Sequence, residues 1–148
     1  MKRLELVGLK TCPHCRRAIA YLMNQDAENT FGIALDPTRA RELSCKYQEP
    51  GEEKFMTGLL VRLLASSSYL PRQVILDWNQ EGFLSGRVDL ATEIITCSPQ
   101  EGLALAVLAG IPLYGEERLF EHMPLFHPPD PESEGADLLQ PKVKPTLH

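Results

Sequence analysis

The first residues that could do chemistry are the two cysteines of the segment Cys12-Pro13-His14-Cys15. Two thiols separated by two residues can exchange a disulfide, or they can bind a soft metal ion as thiolates. Disulfide exchange would need Cys12 at the N-terminus of a helix, where the helix dipole and unpaired N–H groups stabilise a thiolate. A closed zinc site needs four ligands, and this segment supplies two thiolates with His14 between them. A surface turn with two free thiols is the third interpretation.

The same segment resembles the redox centre of glutaredoxins and thioredoxins. It follows a predicted strand, and Pro71 lies where those folds place a proline beside the active site. After Cys15, however, large apolar residues alternate with small alanines, as in an arm of a hairpin. More predicted elements follow Pro71 than a small thioredoxin-like fold contains. A thiol–disulfide oxidoreductase acting through Cys12 and Cys15 stays open as an alternative, and so does a metal site completed by Cys45 or Cys97.

The elements that must position these residues follow from apolar periodicity and from capping residues. Asp36 followed by Pro37 predicts a helix start, and Ser98 with Glu101 predicts a capping box. Strands are predicted over residues 3–9, 30–35, 73–78, 83–90 and 92–97, with a short extended piece at 113–114. Helices are predicted over 36–47, 55–64, 98–110 and 116–122, whereas composition alone leaves 17–23 as helix or strand. The order of these predicted strands and helices along the chain predicts an α+β fold, in which strands adjacent in sequence pair antiparallel.

Composition places the chain among ordinary globular proteins. It has 148 residues, of which 43% are hydrophobic and 24% charged. This length suffices for one folded domain without disulfides or a structural metal. No segment approaches the roughly 18 consecutive apolar residues of a membrane span, and the first residues do not form a signal peptide. We therefore expect a cytoplasmic protein that makes no membrane contact and keeps its cysteines as thiols.

Charge is distributed unevenly along the chain. Residues 1–48 carry a net +3 and residues 49–148 a net −8, which together give the formal −5. A dedicated nucleic-acid binder usually has a strong basic surplus, so any contact with nucleic acid would use the N-terminal third. The last 22 residues, 127–148, hold five of the twelve prolines and four acids. We predict a folded domain over 1–126 and a mobile, Pro-rich acidic tail over 127–148.

A longer resemblance starts at the predicted helix after Ser98. The stretch from Cys97 to Glu117 is similar to the signature of the bifunctional nuclease family, which reads Arg-Pro-Ser-Asp, an Ala/Leu-rich helix, Gly-Ala-Pro-Ile and an acidic pair. Further similar segments precede it, at residues 6–9, 30–37, 55–60 and 73–90. The resemblance covers about residues 3–121. It implies an α+β fold with a mostly antiparallel or mixed sheet and three to four helices, with Cys12 to Cys15 in a hairpin turn and 16–25 as a strand.

The resemblance implies hydrolysis of phosphodiester bonds in DNA or RNA, with Mg²⁺ or Mn²⁺ as cofactor. Several of the family's polar positions differ here: Arg39 replaces a glutamate, and Thr57 and Gly58 replace a histidine and an aspartate. Glu101 stands where the family has an aspartate and keeps the carboxylate. Phosphodiester hydrolysis needs an activated water and stabilised phosphate charge. The carboxylates left as candidate catalytic groups are Glu101 and Asp36.

Each of those candidates also has a structural explanation. Asp36 and Glu101 both stand at predicted helix starts, where an acid stabilises the helix by capping alone. Glu42 is a third acid, and we expect it on a solvated helix surface. The candidate contacts to nucleic acid are Arg16, Arg17 and Arg39.

Two further expectations concern function and assembly. The first is that the chain is a nuclease, active or weakened, or else a non-catalytic binding module of the same fold. The replaced positions and the net negative charge favour the binding module. The second concerns the Leu-rich helix at 55–64, which should either enter the core or form a subunit interface. Members of the resembled family commonly look oligomeric, so a homo-oligomer is expected.

Overall fold

The computed structural model describes residues 1–26, 29–48, 56–67 and 69–122. The predicted tail at 127–148 and the helix-breaking segment at 49–53 lie outside the described residues. The elements in chain order are β1 (Lys2–Thr11), β2 (Ala18–Asn24), β3 (Thr30–Leu35), α1 (Pro37–Gln48), α2 (Met56–Ser66), β4 (Gln73–Trp78), β5 (Leu84–Asp89), β6 (Ile94–Cys97), α3 (Pro99–Ala109), β7 (Leu113–Gly115) and α4 (Glu117–His122). Among these described helices, none combines the length and apolar character needed to cross a membrane.

The strands of the described residues form one curled, mixed sheet in the order β3-β2-β1-β7-β4-β5-β6. Two antiparallel meanders, β1-β2-β3 and β4-β5-β6, make up most of it. The three-residue strand β7 joins them, because it pairs antiparallel with β1 and parallel with β4. The predicted α+β class and the antiparallel pairing of neighbouring strands are confirmed.

The segment 17–23, for which composition allowed either a helix or a strand, forms strand β2 in the structure. Its residues pair with β1 on one side and with β3 on the other, so that Tyr21 lies between Gly8 and Gly32. Ala18, Ala20 and Leu22 are buried while Ile19 is exposed. Alanine favours a helix in isolation, but two flanking strands satisfy the backbone of β2 and decide its conformation.

The predicted helix starts are confirmed at α1 and α3. The backbone N–H of Arg39 donates to Asp36 Oδ1 at 2.9 Å, which caps α1. At α3, Ser98 and Glu101 form the reciprocal capping box, and Gly110 ends the helix in the left-handed conformation with φ of 68°. Helix α3 buries Leu103 completely in the core, together with the strand residues Val74 and Leu76.

Helix α2 is less buried than its composition suggests. Leu59, Leu60 and Leu63 are 41%, 47% and 58% exposed, whereas Val61 packs against the core. The core interpretation of this helix is therefore wrong for these three leucines. Strand β6 lies at the edge of the sheet, and its exposed Ile95 lines the same groove as Leu60 of α2.

Candidate functional site

An apolar groove of about 390 Å³ lies between α2, α3 and the strands β5 and β6. We call it the α2 groove. Its apolar lining consists of Leu60, Leu64, Pro71, Val88, Leu90, Ile95 and Leu105, with Cys97 at its wall. Its polar lining consists of Arg39, Thr57 and Glu101. The fold thus brings three of the four positions compared with the nuclease family to one place.

Two of the polar side chains of the α2 groove, Arg39 and Thr57, are joined through the carboxylate of Glu42. Its Oε1 accepts hydrogen bonds from the Arg39 guanidinium and, at 3.0 Å, from the Thr57 hydroxyl. Glu42 is only 1% exposed, so the expectation of a solvated surface residue is wrong. Arg39 and Thr57 cover the carboxylate of Glu42. Because Thr57 belongs to α2, the sequence of α1 alone could not indicate that Glu42 is buried. Its second oxygen has no hydrogen-bond partner among the described residues.

Glu101 and Asp36 serve as helix caps and face different grooves. Glu101 Oε2 accepts the backbone N–H of Ser98 at 3.0 Å, while the Glu101 N–H donates to Ser98 Oγ. Asp36 accepts the N–H of Arg39, and its own N–H donates to Gln100 Oε1 at 2.9 Å. Glu101 lines the α2 groove, whereas Asp36 lines a second groove beside the β1–β2 turn. The two candidate catalytic acids therefore do not form a pair.

The second groove has a volume of about 740 Å³, and the turn containing Cys12 and Cys15 forms one wall of it. We call it the turn groove. The Cys12 N–H donates to the Arg17 carbonyl at 2.8 Å, and the Arg16 N–H donates to the Cys12 carbonyl at 3.0 Å. The predicted hairpin turn is confirmed. Cys12 does not stand at a helix N-terminus, so the thiolate stabilisation that thioredoxin-like chemistry needs is not supplied in that way.

The turn nevertheless gives the Cys12 sulfur a polar environment. It accepts hydrogen bonds from the backbone N–H and the thiol of Cys15 and from the backbone N–H of His14. These bonds lower the pKa of the Cys12 thiol because they favour its charged form. Arg16 has a φ of 60°, in the left-handed region that side chains other than glycine adopt uncommonly.

Cys97 lies in the other groove and has the opposite environment. Burial, with the negative charge of Glu101 adding to it, raises the pKa of the Cys97 thiol to about 11. Ideal Cβ atoms built on Gly86 and Gly102 would approach Cys97 Sγ to 2.8 and 3.2 Å. Cys97 therefore fills space between β5 and α3 as a neutral thiol. The side chain of Cys45 lies outside the described residues.

The candidate basic contacts are divided between the two grooves. Arg17 lines the turn groove, and Arg16 is exposed in the same turn. Arg39 lines the α2 groove, where it is paired with Glu42. The three arginines therefore do not form one continuous basic surface.

The donor set does not fit the Mg²⁺ or Mn²⁺ that the nuclease resemblance implies. Such hard cations need several oxygen ligands around one point. Asp36 and Glu101 face separate grooves, and the buried Glu42 is engaged by Arg39 and Thr57. In the parts of the chain that the structure describes, no three His, Cys, Asp or Glu side chains are grouped to hold a metal ion.

An ion pair between the buried Asp77 of β4 and the exposed Arg118 of α4 was missed by sequence reasoning. Asp77 is 5% exposed and accepts two hydrogen bonds of 2.7 Å from Arg118. Arg87 adds a longer ion pair to Asp77 and also bonds to Glu116. The hydrogen bonds from Arg118 are the main cause of the lowered pKa of Asp77. An acid inside the apolar strand 73–78 was the available signal, but its partner lies 41 residues away.

Neither the protein-family models nor the curated proteins contain a match to this chain.

Proposed function

We propose that this chain is a non-catalytic binding module with a bifunctional-nuclease-like fold, in which phosphodiester hydrolysis is lost. The observation that carries the proposal is that the candidate carboxylates are already hydrogen-bonded within the chain. Glu101 and Asp36 each accept a backbone N–H at a helix start, and Glu42 is buried against Arg39 and Thr57. In the parts of the chain that the structure describes, neither Glu101 nor Asp36 thus belongs to a group of three or more acidic, histidine or cysteine side chains that could hold a metal ion.

The α2 groove suits an extended polypeptide better than a nucleic acid. Its lining is mostly apolar, and its cation, Arg39, already has the carboxylate of Glu42 as its partner. A polyanion would gain little there, because phosphate binding depends on available positive charge. The adjacent β6 is an edge strand, so its outer backbone groups can pair with a further strand. Apolar side chains of that strand would enter the groove beside Ile95.

Assembly is a separate part of the proposal. Leu59 and Leu63 are four residues apart on α2 and therefore share one exposed face. Exposed leucines at this spacing are typical of a helix that packs against another subunit. We propose that this face joins copies of the chain into the expected homo-oligomer.

Weak nuclease activity is the second candidate function. It is favoured by the fact that Arg39, Thr57 and Glu101, which occupy polar positions of the resembled family, line one groove. In that case Glu101 would be the remaining carboxylate and Arg39 a phosphate contact. The geometry supports this less well, because both side chains already have partners within the chain.

Turnover separates the two candidates. Labelled single-stranded DNA and RNA are incubated with the purified chain in Mg²⁺, Mn²⁺ or EDTA, together with Glu101→Gln. Glutamine preserves the capping box, so this variant keeps α3. We expect no metal-dependent cleavage by either protein. Cleavage that copurifies with the chain and falls about tenfold or more in Glu101→Gln, but not in the exposed control Glu81→Gln, would establish the nuclease instead.

Peptide binding tests the module directly. Peptides are selected from a displayed random library against the wild-type chain, and their affinities are measured by fluorescence anisotropy. Leu60→Asp places a charge in the α2 groove at an exposed position. It should lower the affinity of the peptides about tenfold or more, because burying a charge against apolar side chains costs free energy. The control Phe83→Asp alters an exposed apolar residue outside the groove. Selected peptides that bind Leu60→Asp unchanged, or a library that yields none, would refute this partner class.

A further inference from the structure

The turn between β1 and β2 carries two free cysteines, Cys12 and Cys15, that are separated by two residues. The hydrogen bonds between Cys12 and residues Arg16 and Arg17 close the hairpin. The turn brings Cys15 close enough to the Cys12 sulfur for Cys15 to lower the pKa of the Cys12 thiol, so the two side chains are neighbours. Pro13 restricts the backbone after the first cysteine, and the left-handed Arg16 turns it after the second. Two thiols brought together by a closed turn are a preformed pair of metal ligands.

The peptide groups of the turn also prepare the sulfur for a metal. The N–H groups of His14 and Cys15 point at Cys12 Sγ. A metal-bound thiolate keeps lone pairs that can accept these N–H groups, and such bonds orient the ligand and offset its charge. The turn therefore needs little rearrangement to bind a soft cation.

The described residues of one chain supply only half of a tetrahedral site around Cys12 and Cys15. Zn²⁺ in structural sites takes four ligands. No further His, Cys, Asp or Glu completes a group with Cys12 and Cys15 within the described ranges. Cys97 lines the α2 groove and is held as a neutral, half-buried thiol. The missing ligands must come from elsewhere, and residues 13–17 are all exposed at the hairpin end, where another molecule can reach them.

We propose that the Cys12–Cys15 turns of two copies of this chain bind one Zn²⁺ between them, in a site of four thiolates. Four Zn–S bonds form, and the four thiol protons, two from each chain, go to the solvent. The complex of Zn²⁺ with four thiolates carries a charge of −2. This inference is independent of the proposed binding and nuclease functions.

The surrounding charges fit such a site. Lys10, Arg16 and Arg17 place positive charge beside the two cysteines in each copy. Two basic hairpin ends repel one another without metal, whereas a tetrathiolate zinc complex between them would be a shared negative centre. The pairing of these turns should therefore depend on the metal, in contrast to association through α2.

The test uses the full chain, reduced and metal-free, titrated with Zn²⁺ under nitrogen while mass is followed by light scattering. We expect uptake of one zinc per two chains and a doubling of mass relative to the metal-free sample. The doubling should persist in Leu63→Glu, which separates it from association through α2. Co²⁺ in place of zinc should give the absorption of a tetrahedral tetrathiolate site.

Variants identify the ligands. Cys12→Ser and Cys15→Ser lie in an exposed turn, and each should weaken zinc binding about 100-fold or more and abolish the doubling. Cys97→Ala and Cys45→Ala are the controls and should bind zinc as the wild type does. One zinc per chain without a change in mass would overturn the proposal. So would binding that survives both turn variants, or a turn that takes up no zinc and only forms a reversible disulfide.

Discussion

At the scale of single residues, the cysteines of the two grooves differ in reactivity. The Cys12 thiol has a lowered pKa, whereas that of Cys97 is raised to about 11. At pH 8 about one Cys97 thiol in a thousand is ionised, and only the thiolate reacts rapidly with an alkylating reagent.

We therefore expect iodoacetamide to modify Cys12 much faster than Cys97 in the folded, metal-free chain. The rates are measured by mass spectrometry of peptides after timed quenching. In denaturant the two rates should converge, because the environments that separate them are lost. Equal rates in the folded chain would contradict the environments described for these residues.

Asp77 is a buried residue whose negative charge is paired with Arg118. Its pKa lies below the ordinary value of 3.8, so the ionised carboxylate stabilises the folded chain fully above that pH. The contribution is lost as pH falls through the lower, folded-state pKa. Asp77→Asn should reduce the free energy of unfolding by about 1–3 kcal/mol at pH 7, because Arg118 loses its ionic partner.

Urea denaturation at pH 7 and pH 3 measures this linkage. The difference between wild type and Asp77→Asn should shrink at the lower pH, where the wild-type carboxylate begins to take up its proton. Asp26→Asn is the control, since Asp26 forms only an exposed pair with Lys2. A difference that is independent of pH would show that the charge of Asp77 is not what stabilises the fold.

At the scale of elements, α3 and β5 approach closely around Cys97. A Cβ on Gly86 would lie 2.8 Å from Cys97 Sγ and 3.2 Å from the Ser98 carbonyl. Gly86→Ala should therefore destabilise the chain by about 1–3 kcal/mol through overpacking. Cys97→Ala in the same chain should restore part of this loss by removing the sulfur. Thermal unfolding of the two single variants and the double variant measures the coupling, and strict additivity would contradict the contact.

The elements were more predictable than the contacts between them. The starts of α1 and α3 and the β4–β5 hairpin depend on capping and turn residues within a few positions, so they could be predicted locally. The conformation of β2 could not, because its two flanking strands decide it. The burial of Glu42 depends on Thr57, and the ion pair of Asp77 on Arg118, both distant in sequence. The residues of the candidate site could be predicted from the sequence, but their division between two grooves could not.

At the scale of the whole molecule, the proposed association of copies depends on the exposed face of α2. Leu63 is 58% exposed, so Leu63→Glu should leave the fold intact while placing a charge in the proposed interface. We expect a lower mass for this variant than for the wild type by light scattering in EDTA. The control is Tyr69→Glu, at an exposed position outside the helix. Equal masses would exclude α2 as the interface.

The position of β7 has a consequence for the order in which the molecule forms. Each meander joins strands that are close in sequence, so both can pair as soon as residues 2–35 and 73–97 are available. The two halves share a sheet only when residues 113–115 pair with Lys2–Leu4 and Val74–Leu76. During synthesis on the ribosome, the edge of β1 that pairs with β7 therefore stays without its partner strand until residues 113–115 have emerged. We expect the amides of this seam to be the last that pulsed hydrogen exchange finds protected during refolding.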